Sequence, residues 1–309
     1  MVVLLVWYND ARREVRPSHQ SFFTHPGQFL NTGHPIPDDI AAMVRLVQHN
    51  LIHAYWLEKY GVSKPFSERF GEMQLRTAQE IFAELAKRTE GWVLDDKPEA
   101  KRVIGICRDF SLLLCSLLRH HGIPARLRCG FACYLRRGKW EDHWICEYWH
   151  TQQQRWIKVD PQLDGIHQQV LKFDFDPLDL PDGIFLTAGE MWQAVREGKV
   201  EAKRCGIMQL RGTPYLKANL VRDLFALTSM ELLAWDCGWG MIEQPMHPIA
   251  SESEWQLLDE LARMSANSDS EMARYCTQHH QAICLPEQWC WSQAPTIAQL
   301  FDRASEELY

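Results

Sequence analysis

At 309 residues, with 46% hydrophobic residues and thirteen tryptophans, the chain has apolar surface enough for a large core, built as one long domain or two of ordinary size. A formal net charge of −7 and a pI near 6.0 argue against a surface that neutralises nucleic-acid phosphates, and the short basic run at Arg136, Arg137 and Lys139 reads as a solvated turn. Ten cysteines in a chain of this length point to reduced thiols rather than to a disulfide scaffold, which is usually much shorter.

Residues 1 to 8 read as a buried strand. Their apolar run has no positive segment before it and no small-residue cleavage site after it, so no secretory signal is expected. No uncharged stretch approaches the roughly twenty residues that span a bilayer, and the expected location is cytoplasmic. After a proline- and glycine-rich entry, "PDDIAAMVRLVQHNLIHAYWLEKYG" carries apolar residues at helical spacing and predicts a helix stopping at Gly61. "RTAQEIFAELAKRTEG" predicts a second helix ending at Gly91, and "DDKPEAK" a surface turn. From about 125 to 160, "ARLRCGFACYL", "WEDHWICEYW" and "RWIKVD" are short aromatic and β-branched runs separated by polar turns, the pattern of consecutive antiparallel strands. Beyond "FDFDPLDLPDG" the pattern is helical, with helices predicted at 188–197, 218–234, 252–264, 270–282 and 296–308. There is no internal repeat. The division expected is residues 1–180 as one domain and 181–309 as a mainly helical extension.

The segment "VIGICRDFSLLLCSLLRHHGIPARLRCGF" places a thiol, Cys107, where an apolar stretch turns into a helix whose apolar positions are Phe110, Leu113, Leu114, Leu117 and Leu118. Unpaired N–H groups and the positive end of the helix dipole favour a thiolate there. Cys115, two turns on, lacks that field and reads as core filler. A nucleophilic thiol needs a base and a group that orients the base. His143 in "WEDHWICEYW" and Asp160 at the end of "RWIKVD" supply both if the two runs pair as strands. Taken singly, each of these residues has an ordinary structural explanation; it is their order and context that point to chemistry.

"GICRDFS", "DHWICEYW" and "WIKVDPQLD" resemble the core motifs of the transglutaminase-like superfamily, and "FDPLDLP", "AGEMWQAVREG" and "NLVRDLFALTSMELLAWD" look like a bacterial group within it. The resemblance implies an α+β fold related to papain-type proteases, with a nucleophile-bearing helix packed on an antiparallel sheet and helical additions at both ends. It implies Cys107 as nucleophile, His143 as general base and acid, and Asp160 as orienting carboxylate. It also implies an oxyanion donor upstream of the thiol, for which Gln74 is the candidate, beside the Cys107 backbone N–H. Trp144 is expected to pack over the site or to touch substrate. Asp109 is expected to hold the helix start, with Arg108 meeting an acidic group.

No cofactor is expected. Cys276, His280 and Cys284 share a helical face, yet the short paired-ligand knuckles of zinc sites are missing, so no metal is assigned to them. The expected activity is cysteine-dependent acyl transfer to, or hydrolysis of, an amide, ester or thioester on a substrate of undefined size, a peptide or carrier protein included. The alternatives are amide-bond formation between carrier-bound thioesters and, in another class, a binding module that keeps the fold without turnover. Nucleic acid and membrane are not expected partners.

Overall fold

The computed structural model describes residues 16–286 apart from 32, 63–65 and 245, so the strand expected at 1–8 and the helix expected at 296–308 lie outside the described residues. Helices and strands mix in an α+β arrangement, and the chain divides into two compact units. Of the described residues, one comprises 17–125 and 145–180; the other comprises 16, 126–144 and 181–286.

In the first unit, α1 (Ile40–Gln48) begins where the Asp39 carboxylate accepts the Ala42 N–H. Helical spacing in the sequence continues to Gly61, but the helix stops at Gln48. Asn50 is the cause: its buried amide donates to the Leu46 and Leu94 carbonyls and accepts from Lys97 Nζ, which turns the chain out of the helix. Leu51–His53 then form β1, buried on both faces and paired in parallel with β2 (Val103–Gly105). A 3₁₀ segment over Ala54–Tyr60 follows, and Gly61 ends it at φ +71°, the left-handed conformation that favours glycine. Thus Leu51, Ile52, Ala54 and Leu57 are all buried, and their apolar pattern imitates a helix while a strand and a 3₁₀ turn carry it.

The capping box of Thr77 and Glu80 opens α2 (Ala78–Ala86), which ends short of Gly91. Next comes α3 (Cys107–His120), enclosed from Cys107 to Arg119 and packed against α1 and α2. Two strands, β3 (Ala125–Ala132) and β4 (Trp140–His150), carry the chain through both units. In the first unit, β5 (Arg155–Val159) runs antiparallel to the second half of β4, with Cys146 opposite Val159 and His150 opposite Arg155. The Asp164 side chain caps α4 (Gly165–Leu171).

In the second unit, β6 (Phe185–Thr187), β7 (Cys205–Ile207) and β8 (Leu210–Arg211) complete a sheet of order β6-β3-β4-β7-β8. β6 is antiparallel to β3, and Gly130 allows their approach, since a Cβ there would lie 2.2 Å from the Leu186 carbonyl oxygen. The sheet departs from a wholly antiparallel one at β7, which is parallel to β4 because the chain returns to the sheet through a helical crossover. That crossover contains α5 (Ala188–Arg196). α6 (Thr213–Leu227) starts earlier than expected, with Pro214 in its first turn, and ends where Ser229 takes a left-handed φ of +63°. α7 (Glu252–Ala266) packs on α5 and α6, and α8 (Ser270–His279) on α6.

A buried ion pair ties β3 to these helices. Arg128 Nε and Nη2 donate to Asp223 Oδ1 and Oδ2 at 3.0 and 2.7 Å, and the same carboxylate accepts from the Cys129 N–H and the Ser265 hydroxyl. Removing one member leaves an uncompensated buried charge. Asp223→Ala is therefore expected to lower unfolding free energy by about 3–5 kcal/mol in urea titration. A loss below about 1 kcal/mol, the range of exposed pairs, would contradict the account.

Candidate active site

Cys107 is the first residue of α3, as the sequence indicates, and is 8% exposed. Neighbouring side chains hold the helix start. Asp109 Oδ2 accepts the Ile106 N–H at 2.9 Å, the Ser111 hydroxyl donates to the Cys107 carbonyl at 3.1 Å, and Gly105 leaves room for the Asp109 carboxylate, 3.0 Å from where a Cβ would sit. Burial raises the Asp109 carboxyl above its ordinary range, against the opposing pull of Arg108 and the Ile106 N–H. Arg108, with no exposed surface, donates to Asp109 Oδ1 at 3.0 Å and to the Arg76 carbonyl at 2.6 Å, and its guanidinium lies 5.9 Å from the Phe23 ring centroid. Both residues thus shape the helix start, the structural roles expected of them.

Gln74 ends the 3₁₀ segment Phe66–Gln74 and is half-buried. It reaches the helix start through backbone groups: Arg76 Nη1 donates to its carbonyl at 3.0 Å, and the Arg76 carbonyl accepts from Arg108. Cys115, buried further along α3, has its thiol against that of Cys146 on β4; burial first, and then this neighbour, push the Cys146 thiol far above its ordinary range. Such thiols fill the core.

His143 and Trp144 lie on β4 within the second unit, each 1% exposed and on opposite faces by strand alternation. The Tyr134 ring meets the His143 ring edge-on, with centroids 6.0 Å apart. The preceding residue anchors this stretch: Asp142 accepts from the Tyr215 hydroxyl and the Asn219 amide of α6, both at 2.7 Å. Burial, and then the charge of Asp142, push the Tyr215 hydroxyl well up, so it stays a donor.

Asp160 follows β5 in the first unit and has no exposed surface. Its N–H donates to the Pro177 carbonyl at 2.9 Å, and its Oδ1 accepts the Gln162 N–H at 3.1 Å. Asp164, four residues on, does more than form a turn. It accepts from the Ile166 and His167 N–H groups, from His167 Nδ1 at 2.8 Å and from the Tyr60 hydroxyl. Burial alone would raise this carboxyl, but the bonds from His167 and Tyr60 outweigh it and hold it down to about 2. The Asp-x-x-His spacing at a helix start is the sequence signal for this pair, and the sequence reading passed over it.

The thiol of Cys276 on α8 lies 3.8 Å from the Met264 sulfur and is raised by burial. Among the described residues no group of three or more His, Cys, Asp or Glu is arranged to hold a metal ion, and no helix is long and apolar enough to cross a membrane.

No curated protein and no solved structure matches the chain. Residues 74–161 match the model of the transglutaminase-like superfamily, a span that opens at Gln74, contains Cys107, His143 and Trp144, and closes one residue after Asp160. Members of that superfamily are usually enzymes, generally of Cys-His-Asp acyl transfer or hydrolysis. By this match residues 74–161 are a transglutaminase-like region of the chain.

Proposed function

We propose that the protein is a cysteine acyltransferase or hydrolase in which Cys107 is the nucleophile, His143 the general base and acid, and Asp160 the carboxylate that orients the imidazole. The observation that carries the reading is Cys107 at the first position of α3 inside the matched span. A thiol there meets the unpaired N–H groups and the positive end of the helix dipole, which favour its anion. The matched span also contains His143 and Asp160, so that the three residues follow one another in the order Cys, His, Asp.

In the reaction, the Cys107 sulfur donates an electron pair to the carbonyl carbon of an amide, ester or thioester, and the carbonyl oxygen becomes an oxyanion facing the Cys107 N–H. As the carbonyl re-forms, the bond to the leaving group breaks and His143 gives that group its proton. Water or an amine then attacks the acyl-enzyme, losing a proton to His143, and the sulfur departs as thiolate. Hydrolysis and amine transfer share every step to the acyl-enzyme; water exclusion and pocket shape select between them. Joining of carrier-bound thioesters would be one form of the amine branch.

The rival reading, a binding module without turnover, draws on the slight exposure of Cys107. Alkylation with iodoacetamide, mapped by mass across pH, separates the two. An activated thiol reacts well below the ~8.5 of a free cysteine, and His143→Ala moves the midpoint upward because it removes the imidazolium. A wild-type midpoint near that of a free thiol, unchanged by His143→Ala, would eliminate a pre-formed ion pair and with it the proposed mechanism.

A further inference from the structure

Within the first unit a second imidazole and carboxylate stand close to Asp160. His167, in the first turn of α4, has no exposed surface; its Nδ1 lies 2.8 Å from Asp164 Oδ1 and its Nε2 3.3 Å from the Gln162 amide nitrogen. The Tyr60 hydroxyl donates to Asp164 Oδ2 at 2.5 Å, and the Trp56 ring covers the imidazole at a centroid distance of 4.0 Å. A ring enclosed in this way does not meet substrate. What it holds is Gln162, 3% exposed, whose backbone N–H donates to Asp160 Oδ1.

We infer that His167, fixed by Asp164 and Tyr60, is a positioning residue that acts through Gln162 to orient the Asp160 carboxylate; the inference rests on the role proposed above for Asp160. With Nδ1 protonated toward Asp164 Oδ1 at 2.8 Å, Nε2 accepts from the Gln162 amide, and the longer 3.5 Å approach of the Asp164 N–H to Nδ1 is given up. Gln162 is then pinned at two points, its side chain on His167 and its N–H on the Asp160 carboxylate. Other bonds fix the neighbouring backbone, the Asp160 N–H on the Pro177 carbonyl and the Gln48 amide on that of Leu163. The Gln162 N–H differs from these in acting on the carboxylate itself, where rotation decides which lone pair faces an imidazole. Asp164 stays an anion, since His167 and Tyr60 hold it low, and Tyr60 stays a donor, pushed up by burial and Asp164 with Arg102 over its ring opposing. Both therefore keep their charge across the pH range in which the thiol is assayed.

The test compares iodoacetamide alkylation of Cys107 across pH in the full chain, with thermal unfolding measured alongside. His167→Asn keeps a donor toward Asp164 and loses the acceptor for Gln162; Gln162→Met keeps the volume and loses the amide; His167→Gln places an amide oxygen near the Nε2 position. Asn and Met variants are expected to alkylate about ten-fold more slowly at a pH below the wild-type midpoint, the midpoint moving up by about one unit, with His167→Gln closer to wild type. If both loss variants alkylate as wild type does while His143→Ala shifts the midpoint, this inference is overturned and the triad stands. If wild type and His143→Ala alkylate alike at free-thiol pH, the triad itself fails and the inference falls with it. Should His167→Asn fail to fold, Gln162→Met decides, because the methionine disturbs neither Asp164 nor its cap.

Discussion

Cys107→Ser is expected to abolish acyl-enzyme formation while leaving the fold almost unchanged. The start of α3 is held by several groups other than the sulfur: Asp109 takes the Ile106 N–H, Ser111 takes the Cys107 carbonyl, and Arg108 ties the first turn to the Arg76 carbonyl. Serine is close to cysteine in size and is tolerated at a helix start, so the melting temperature should move by only a few degrees. The chemistry should not survive, because a hydroxyl has no accessible anion near neutral pH and an imidazole matched to a thiol need not deprotonate it. Acylation by a p-nitrophenyl ester, read as an adduct on the peptide carrying residue 107, should fall by about 10⁴-fold or more. An undiminished adduct at residue 107 in the serine variant, or an unchanged rate of ester consumption, would remove Cys107 from the reaction.

The parts of this fold that were legible in the sequence are those in which local chemistry and tertiary role agree. Cys107 was readable as the start of a helix because an extended, glycine-ended segment precedes it and Gly122, at φ +70°, follows the helix. The strands at 125–132, 140–150 and 155–159 were readable because aromatic and β-branched runs alternate with polar turns. The break after Gln48 was hidden, since Asn50 ends the helix through partners at Leu94 and Lys97, more than forty residues along the chain. The parallel entry of β7 beside β4 was hidden for the same reason: local spacing does not encode which strand a crossover reaches.

At the site, motif order pointed to Cys107, His143 and Asp160, while the supports around them were mostly out of reach. Asp142 looks like any acid beside a strand histidine until Tyr215 and Asn219, more than seventy residues on, take its two oxygens. Tyr60 lies more than a hundred residues from Asp164 and carries no local sign of the contact. His167 was closer to hand, because an Asp three residues before a His at a helix start is a short-range pattern. Buried polar groups need partners, and those partners are set by the fold rather than by their neighbours in sequence.

The comparison of two carboxylates four residues apart separates chemistry from support. Asp160→Asn is expected to keep the fold, since the amide oxygen still accepts the Gln162 N–H and the Asp160 backbone bond to Pro177 does not involve the side chain. It should nevertheless slow acylation by about 10⁴-fold, the cost of the analogous change in a serine protease, because a neutral amide neither stabilises imidazolium nor selects its tautomer. Asp164→Asn should do the reverse. Its amide oxygen still accepts from His167, so the rate should change by less than about ten-fold, but the lost anion weakens the Tyr60 and His167 contacts. Asp164 has a carboxyl lowered from 3.8 to about 2 in the folded chain, and its side chain is only 18% exposed. A lowered carboxyl contributes stability above its unfolded value and loses it as pH falls through its folded value. The deficit of Asp164→Asn should thus be on the order of 2 kcal/mol near pH 7 and shrink as pH falls from about 4 toward 2, in urea titrations at each pH. If the rate loss instead followed Asp164 and the rate of Asp160→Asn stayed near wild type, the orienting carboxylate would be Asp164, with His167 rather than His143 as the imidazole it serves.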